Sequence, residues 1–136
     1  PLAGLRGAAA PAAQPALFRR VSDLPQLEEA IRGAAGKPVL LDFYADWCVT
    51  CKEMEAFTFT DGTVRRRLDE MVKLQVDVTA NLDEHKALLR RFGLFGPPGI
   101  VFFDRQGNEI KGLRVIGFQP AGRFVAVLDQ ALSFKR

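Results

Sequence analysis

The two cysteines of this chain lie three positions apart, as Cys48 and Cys51 in the stretch YADWCVTCK. Two thiols at this spacing could form a redox pair, supply half of a metal site, or serve as a structural crosslink. A zinc site needs four ligands, usually Cys or His, and the chain adds only His85, which we expect on the surface of a distant helix. A crosslink across so short a loop constrains the unfolded chain little. We therefore interpret the cysteines as a redox pair.

The cysteines fall where a predicted buried strand is followed by a predicted helix. Residues 39–45 form a short apolar run with β-branched and aromatic side chains, which is typical of a buried strand. Residues 48–57 are predicted to be helical, which places Cys48 exposed at the helix N-terminus and Cys51 one turn further, shielded. Backbone N–H groups and the helix dipole favour a thiolate at a helix N-terminus. We therefore predict that Cys48 attacks the partner and that Cys51 resolves the mixed disulfide.

Two acidic residues lie close enough in sequence to tune these thiols. Asp42 is within the predicted buried strand, where an ionised carboxyl is costly unless it is paired. Glu55 follows Cys48 by seven residues and is expected on the same face of the helix. A carboxylate beside a thiolate raises the pKa of both groups, and a destabilised thiolate makes the dithiol a better electron donor. Because Val49 and Thr50 carry no positive charge, we predict a raised pKa for Cys48 and a reducing potential.

Each of these acids also has a purely structural interpretation. Asp42 could be bonded to backbone groups or to Lys73, and Glu55 could form a surface ion pair with Lys52. Trp47, directly before the first cysteine, is expected to contribute both to the core and to the rim of the site.

The rest of the chain supplies the elements that position the site. The predicted strands cover residues 17–21, 39–45, 72–78, 100–103 and 110–117. Helices are predicted between the early strands and after Pro120, and Asn81 and Glu84 have the spacing of a capping box. The apolar positions expected to face the core from these helices are Met54, Phe57, Leu82, Leu88, Leu89, Phe92, Phe124, Val127, Leu128, Ala131 and Leu132. Parallel crossovers and a final hairpin follow from this order, so we predict an α/β fold with a central mixed β-sheet flanked by helices on both faces.

Composition excludes several classes of protein and indicates one folded domain. The net charge of +3, without a basic run interleaved with aromatic residues, argues against nucleic-acid binding. The longest uncharged run, residues 93–103, is too short to span a membrane. We interpret the Ala/Pro/Gly-rich residues 1–16 as a flexible linker and residues 17–136 as the domain. Because the chain begins with Pro1, we expect it to be a piece of a longer protein.

Several motifs together resemble a known family. FYADWCVTCK is similar to the thioredoxin superfamily, whose sequence signature is a C-x-x-C beside a βαβ pattern. The segments LLDFYADWCVTCKEMEAFTF, VDVTAN, LLRRFG and GIVFFDRQGNE resemble the C-terminal domain of the DsbD family of transmembrane thiol:disulfide interchange proteins. The similarity runs from about Leu17 to the end of the chain. It implies a thioredoxin-like fold and protein-disulfide reductase activity.

The resemblance also implies roles for residues around the cysteines. In the thioredoxin fold a cis proline immediately before the strand that is here predicted to begin at Ile100 lies against the active-site sulfurs. The backbone there pairs with the extended chain of a substrate. In the stretch Gly96-Pro97-Pro98-Gly99 the better cis candidate is Pro98, and a trans Pro-Pro turn is the alternative. Asp42 and Glu55 match acidic positions near that family's active site. The predicted partner-binding residues are Trp47, Val49, Thr50, Pro97 and Pro98.

The function implied by the resemblance is an electron relay. In that family the domain lies in the periplasm, takes electrons from cysteines of a membrane domain and passes them to an N-terminal periplasmic domain. That domain reduces disulfide isomerases and proteins of cytochrome c maturation. The resemblance therefore implies a periplasmic domain of an inner-membrane protein, whose partners are two other domains of the same parent and whose redox group is the Cys48–Cys51 disulfide, without a metal or further cofactor. The alternatives are a free-standing general reductase, and a binding module with an idle disulfide that holds a partner at residues 96–98.

Overall fold

A five-stranded mixed sheet forms the centre of the computed structural model, which describes residues 17–135; the predicted linker, residues 1–16, lies outside the described residues. The strands are β1 (Arg19–Arg20), β2 (Val39–Tyr44), β3 (Val72–Asp77), β4 (Gly99–Phe103) and β5 (Val115–Ile116). Their order across the sheet is β1-β3-β2-β4-β5. The first three run parallel, whereas β4 and β5 are antiparallel to their neighbours. The predicted mixed sheet and final hairpin are thus confirmed.

Helices cover both faces of this sheet. They are α1 (Leu24–Arg32), α2 (Val49–Glu53), α3 (Gly62–Leu68), α4 (Asp83–Arg91) and α5 (Ala121–Ser133), with a π-helical turn at Met54–Thr58 and a 3₁₀ turn at Lys111–Leu113. Successive strand residues point to opposite faces, so Leu41 of β2 packs with α1 and α4, and Leu40 packs with α3 and α5. Every residue of β2 is buried, because helices lie above and below it.

The predicted helix over residues 48–57 changes its geometry halfway. After five residues of α-helix the chain widens into the π-helical turn, in which the Phe59 N–H donates to the Met54 carbonyl at 2.8 Å. The wider turn rotates the positions that follow Met54. Phe57 is therefore 67% exposed, so its predicted core position was wrong, and Phe59 packs in the core against Phe124 instead.

The start of α4 also differs from the sequence prediction. Asn81 has a left-handed backbone with φ of 54° and is not the N-cap residue; Leu82 takes that position, and the helix begins at Asp83. The predicted capping box was wrong, and Leu82 is 47% exposed instead of in the core. His85 is 6% exposed, and its Nδ1 accepts a hydrogen bond from the Leu82 N–H at 3.2 Å. The expectation of a surface histidine was therefore also wrong.

The C-terminal part of the chain is less regular than predicted. The strand expected over residues 110–117 is reduced to β5, because the 3₁₀ turn occupies the segment before it. In α5 the side chains of Phe124, Leu128 and Ala131 are buried, while Val127 is only partly buried.

Candidate redox site

The two cysteines form a disulfide at the junction between β2 and α2. Their Cα atoms are 5.2 Å apart. Cys48 is the N-cap residue of α2, and its Sγ accepts a hydrogen bond from the Cys51 N–H at 3.1 Å. The Sγ of Cys51 lies 3.9 Å from the carbonyl oxygen of Phe43 in β2. A thiolate on Cys48 would keep the backbone donor, which stabilises negative charge at this sulfur.

Cys48 is more shielded than the sequence predicted, whereas the predicted shielding of Cys51 is confirmed. Cys48 is 6% exposed and Cys51 is 5% exposed, so the expectation of an exposed Cys48 was wrong. The chain passes from β2 to α2 within a few residues, and Cys48 packs in the same apolar core as Tyr44 and Ala45. The disulfide therefore lies against the end of the sheet, and a partner must approach it closely to react.

The residues between and before the cysteines form an exposed rim. Val49 is 73% exposed and Thr50 is partly buried. Trp47 is 59% exposed, so the prediction that it also belongs to the core was wrong. Its indole N–H donates to the Thr79 carbonyl at 3.2 Å, and the Thr79 hydroxyl oxygen accepts the Asp46 N–H at 2.8 Å. The loop after β3 thus holds the rim in place beside the disulfide.

The proline stretch lies at the same end of the sheet as the cysteines. The peptide bond between Pro97 and Pro98 is cis, in agreement with the choice of Pro98 as the better candidate. Gly99 pairs with Phe43 of β2, which brings the prolines beside the strand end that leads to Cys48. The structure therefore brings all five predicted partner-binding residues to one end of the sheet.

Asp42 is a buried acid on the central strand. It is 5% exposed, and its Oδ2 accepts a hydrogen bond from Nε2 of Gln75 at 2.8 Å. Burial raises the pKa of Asp42 from 3.8 to about 7, and the Glu55 carboxylate also raises it, while the Gln75 hydrogen bond and the charge of Arg20 lower it. Lys73 instead donates to backbone carbonyls of residues 68 and 71, so the suggested Asp42–Lys73 pair was wrong.

Glu55 lies on the π-helical turn and influences Asp42 from there. Its side chain is 46% exposed and lies 4.0 Å from the ammonium group of Lys52, which is the ion pair considered from the sequence. Lys52 also donates a hydrogen bond to the Tyr44 hydroxyl, and this bond raises the pKa of Lys52. The Tyr44 hydroxyl in turn donates to Asp46 at 2.9 Å. These four side chains therefore form a small polar network beside the cysteine pair.

Sequence reasoning missed Gln75 as part of this site. The alternating pattern of residues 72–78 predicts a half-buried strand with Gln75 on its polar side, but Gln75 is 5% exposed and is hydrogen-bonded to Arg20 and Asp42. The available signal was Asp42 itself: a buried acid requires a donor on a neighbouring strand, and Gln75 is a polar residue at the middle of the next parallel strand.

Two further searches concern metals and membranes. Residues 17–135 contain no group of three or more His, Cys, Asp or Glu side chains that could hold a metal ion. Within the same residues, no helix is both long enough and apolar enough to cross a membrane.

Comparison with known proteins places this fold and site in a family. A family model for the thioredoxin-like domain matches residues 26–132, and the chain belongs to that family. The solution structure of a thioredoxin from Thermus thermophilus superposes with a TM-score of 0.66 and 28% identity, covering 85% of this chain and 87% of that chain.

Within the thioredoxin-like proteins, this chain is a DsbD C-terminal domain. The crystal structure of the oxidised DsbD C-terminal domain from Neisseria meningitidis has a TM-score of 0.71 and 39% identity, covering 83% of this chain and 99% of that one. The thiol:disulfide interchange protein DsbD of Ralstonia nicotianae is 53% identical over 97% of this chain, and that of Yersinia enterocolitica is 56% identical over 82%. The chain spans about a fifth of the length of these relatives, 22% and 19%.

These similarities confirm the predicted fold and the predicted class of enzyme. The domain is a thiol–disulfide exchange domain of the disulfide-reductase class, with Cys48 and Cys51 as its C-x-x-C pair.

Proposed function

We propose that this domain relays electrons, accepting them from a membrane-embedded cysteine pair and donating them to a partner periplasmic domain of the same parent protein. The observation that carries the proposal is the buried Asp42, with Glu55 acting on it from the π-helical turn. Negative charge on these carboxyl groups opposes a thiolate on Cys48. The dithiol form is then less stable relative to the disulfide form. The reduced domain therefore gives up its electrons more readily.

The exchange proceeds in two balanced steps. The thiolate of Cys48 attacks one sulfur of the partner disulfide, forms a mixed disulfide, and releases the other partner sulfur as a thiolate. Cys51 loses its proton and attacks the sulfur of Cys48, which releases the second partner thiolate and closes the Cys48–Cys51 disulfide. Two electrons thereby pass to the partner. Reloading is the reverse reaction, in which a thiolate of the membrane-embedded pair attacks the oxidised domain.

Asp42 is suited to the proton balance of these steps. Because its pKa is raised to about 7, it can both accept and return a proton near neutral pH. It precedes Phe43, whose carbonyl lies 3.9 Å from the sulfur of Cys51. Asp42 is thus one residue along the strand from the group that contacts the thiol deprotonated in the second step.

The exposed rim supports a dedicated protein partner. Trp47 and Val49 present apolar surface directly beside a shielded disulfide, with the Pro97–Pro98 bond at the same end of the sheet. A partner that covers this surface brings its own disulfide to Cys48. On this proposal the domain lies in the periplasm as part of an inner-membrane protein, serves cytochrome c maturation among other pathways, and is tethered by residues 1–16.

The proposal is tested by the rate at which iodoacetamide alkylates Cys48 in the reduced domain between pH 6 and pH 11. We expect an apparent pKa above that of a free cysteine, about 8.5, and a lower one in Asp42→Asn. An apparent pKa well below that value would contradict the proposed direction of transfer. In parallel, Cys51→Ala should trap a mixed disulfide with the partner domain. A general reductase would instead trap many unrelated proteins, and a binding module would trap none while retaining affinity.

A further inference from the structure

Three side chains form a row across the sheet from its open edge to the buried acid. Arg20 of β1 is in register with Gln75 of β3, and Gln75 is in register with Asp42 of β2. These strands are neighbours in the order β1-β3-β2. The Nε of Arg20 donates to Oε1 of Gln75 at 2.6 Å, and Nε2 of Gln75 donates to Oδ2 of Asp42 at 2.8 Å. An exposed cation is thus connected to a buried carboxyl by a single amide.

The direction of these hydrogen bonds is fixed by chemistry. A guanidinium group has only donors, so the atom of Gln75 that faces Arg20 must be its carbonyl oxygen. The amide nitrogen of Gln75 is then obliged to face Asp42, and it can only donate. The carboxyl oxygen Oδ2 is consequently the acceptor, and Oδ1 is left as the oxygen that carries the proton when Asp42 is neutral. The row therefore fixes the orientation of the Asp42 carboxyl group as well as providing it with a hydrogen-bond donor.

We propose that Gln75 is a positioning residue for Asp42, and that it transmits the charge of Arg20 from the sheet edge to the acid through this row of hydrogen bonds. The inference rests on the tuning role proposed for Asp42 and adds two residues to it. A hydrogen bond donated by an amide N–H is stronger when a charged donor polarises the carbonyl of the same amide. Gln75 thus acts on Asp42 in a way that an isolated amide could not.

Other groups hold Arg20 in the position that the row requires. Its Nη1 pairs with Oδ2 of Asp77 at 2.9 Å, and its guanidinium carbon lies 5.6 Å from the centre of the Tyr44 ring. Arg20 therefore uses different nitrogens for the two contacts, Nε for Gln75 and Nη1 for Asp77. These contacts hold the guanidinium group of Arg20 in place while its Nε remains hydrogen-bonded to Gln75.

The charged groups around Asp42 come from several packed elements. Arg20 and Gln75 approach from β1 and β3 and favour the ionised form, whereas Glu55 approaches from the π-helical turn and opposes it. On the remaining side β4 presents Ile100, which is apolar and buried. The row and Glu55 are thus the two opposing influences that can be altered separately.

The test is the carboxyl titration of Asp42, followed by carbon-13 NMR in the oxidised domain, where neither cysteine titrates. Gln75→Leu should raise the pKa of Asp42 by about one to two units, the size expected for one hydrogen bond to a charged group. Arg20→Gln should raise it by a smaller amount, about half a unit. Arg19→Gln is the matched control: it removes the same charge from the neighbouring position of β1, which is in register with Leu74, and should leave the titration unchanged.

The double variant decides whether the charge acts through Gln75. If the row transmits it, the effect of Arg20→Gln should fall to less than half in a Gln75→Leu background. An equal effect in both backgrounds would show that Arg20 acts through space, and would overturn the proposal. So would an unchanged titration in Gln75→Leu. Arg20 lies at an exposed edge, so an unchanged titration in Arg20→Gln overturns the proposal even where Gln75→Leu does not fold.

These outcomes are distinguishable from failure of the proposed function. If Asp42→Asn leaves the alkylation profile of Cys48 unchanged, then the tuning of the thiol is refuted, whatever the row does to Asp42. If Gln75→Leu leaves the titration of Asp42 unchanged while Asp42→Asn shifts that profile, then only the role of Gln75 is refuted. As a second readout, Gln75→Leu should move the part of the Cys48 alkylation profile that follows Asp42 to higher pH, which a loss of packing alone would not do.

Discussion

Replacing Asp42 by Asn should stabilise the oxidised domain at neutral pH and above. The pKa of Asp42 rises from 3.8 to about 7 on folding, because the carboxyl is buried. The native state therefore holds this proton more tightly than the unfolded state, and its stability falls as the pH rises between these two values. At about 1.4 kcal/mol for each unit, the cost of the ionised native carboxyl reaches about 4 kcal/mol above the native pKa. Asn has the same shape, keeps an acceptor for Gln75, and carries no charge.

The assay is urea unfolding followed by far-ultraviolet circular dichroism, at pH values from 4 to 8. The difference in unfolding free energy between Asp42→Asn and wild type should be small at pH 4 and should grow by about 4 kcal/mol by pH 8. Asp83→Asn, at an exposed position at the start of α4, is the control for replacing a carboxyl by an amide without burial. A pH-independent difference for Asp42→Asn would refute the assignment of a strongly raised pKa to this carboxyl.

Two further predictions concern the π-helical turn and the core beside it. Glu55→Gln should lower the pKa of Asp42 by less than about one unit, because the Glu55 side chain is half exposed and screened. Glu53→Gln, on the exposed side of α2, is the control and should leave the pKa of Asp42 unchanged. Equal titration shifts in the two variants would contradict the role given to Glu55. Phe124→Ala, at a fully buried position, should reduce the free energy of unfolding by about 3 to 5 kcal/mol. Phe57→Ala, at 67% exposure, should change it by less than about 0.5 kcal/mol. Comparable losses for the two variants in urea unfolding would show that Phe57 is packed.

The parts of the fold that were predictable depend on local patterns. The apolar run of β2 and the C-x-x-C after it are contiguous in sequence, so the strand, the following helix and the cysteine pair could be placed together. The burial of Asp42 followed from the same run. A prediction from apolar periodicity assumes an unbroken α-helix, however, and the spacing of the apolar residues does not indicate the wider turn that begins at Met54. Phe57 was therefore assigned to the wrong face.

Other parts depend on contacts between distant segments. Gln75 alternates with apolar residues as a solvent-facing residue would, and only the order of the strands shows that it lies between an acid and an arginine. The burial of His85 likewise depends on where α4 begins, and that is set by the left-handed backbone of Asn81. Both are consequences of tertiary placement, which local propensity does not determine.

The energetic cost assigned to Asp42 distinguishes it from the other buried residues. An apolar residue at this position would fill the same space without a desolvation penalty, and most of the neighbouring side chains are of that kind. Local rules of stability are commonly violated at functional sites. On the proposed function this cost is accepted for the effect of the acid on the cysteine pair, and the Gln75 hydrogen bond limits how much the acid destabilises the fold.

The two outermost strands of the sheet have a consequence for the behaviour of the domain in a crowded compartment. β1 and β5 are each only two residues long, and β1 consists of two exposed arginines. An unpaired strand edge can recruit a strand from another molecule, and short or charged edges discourage such pairing. Arg20, whose side chain also points toward the acid, thus helps to prevent edge-to-edge aggregation. On the proposed relay function, a domain that must bind other chains repeatedly and release them benefits from edges to which those chains do not adhere.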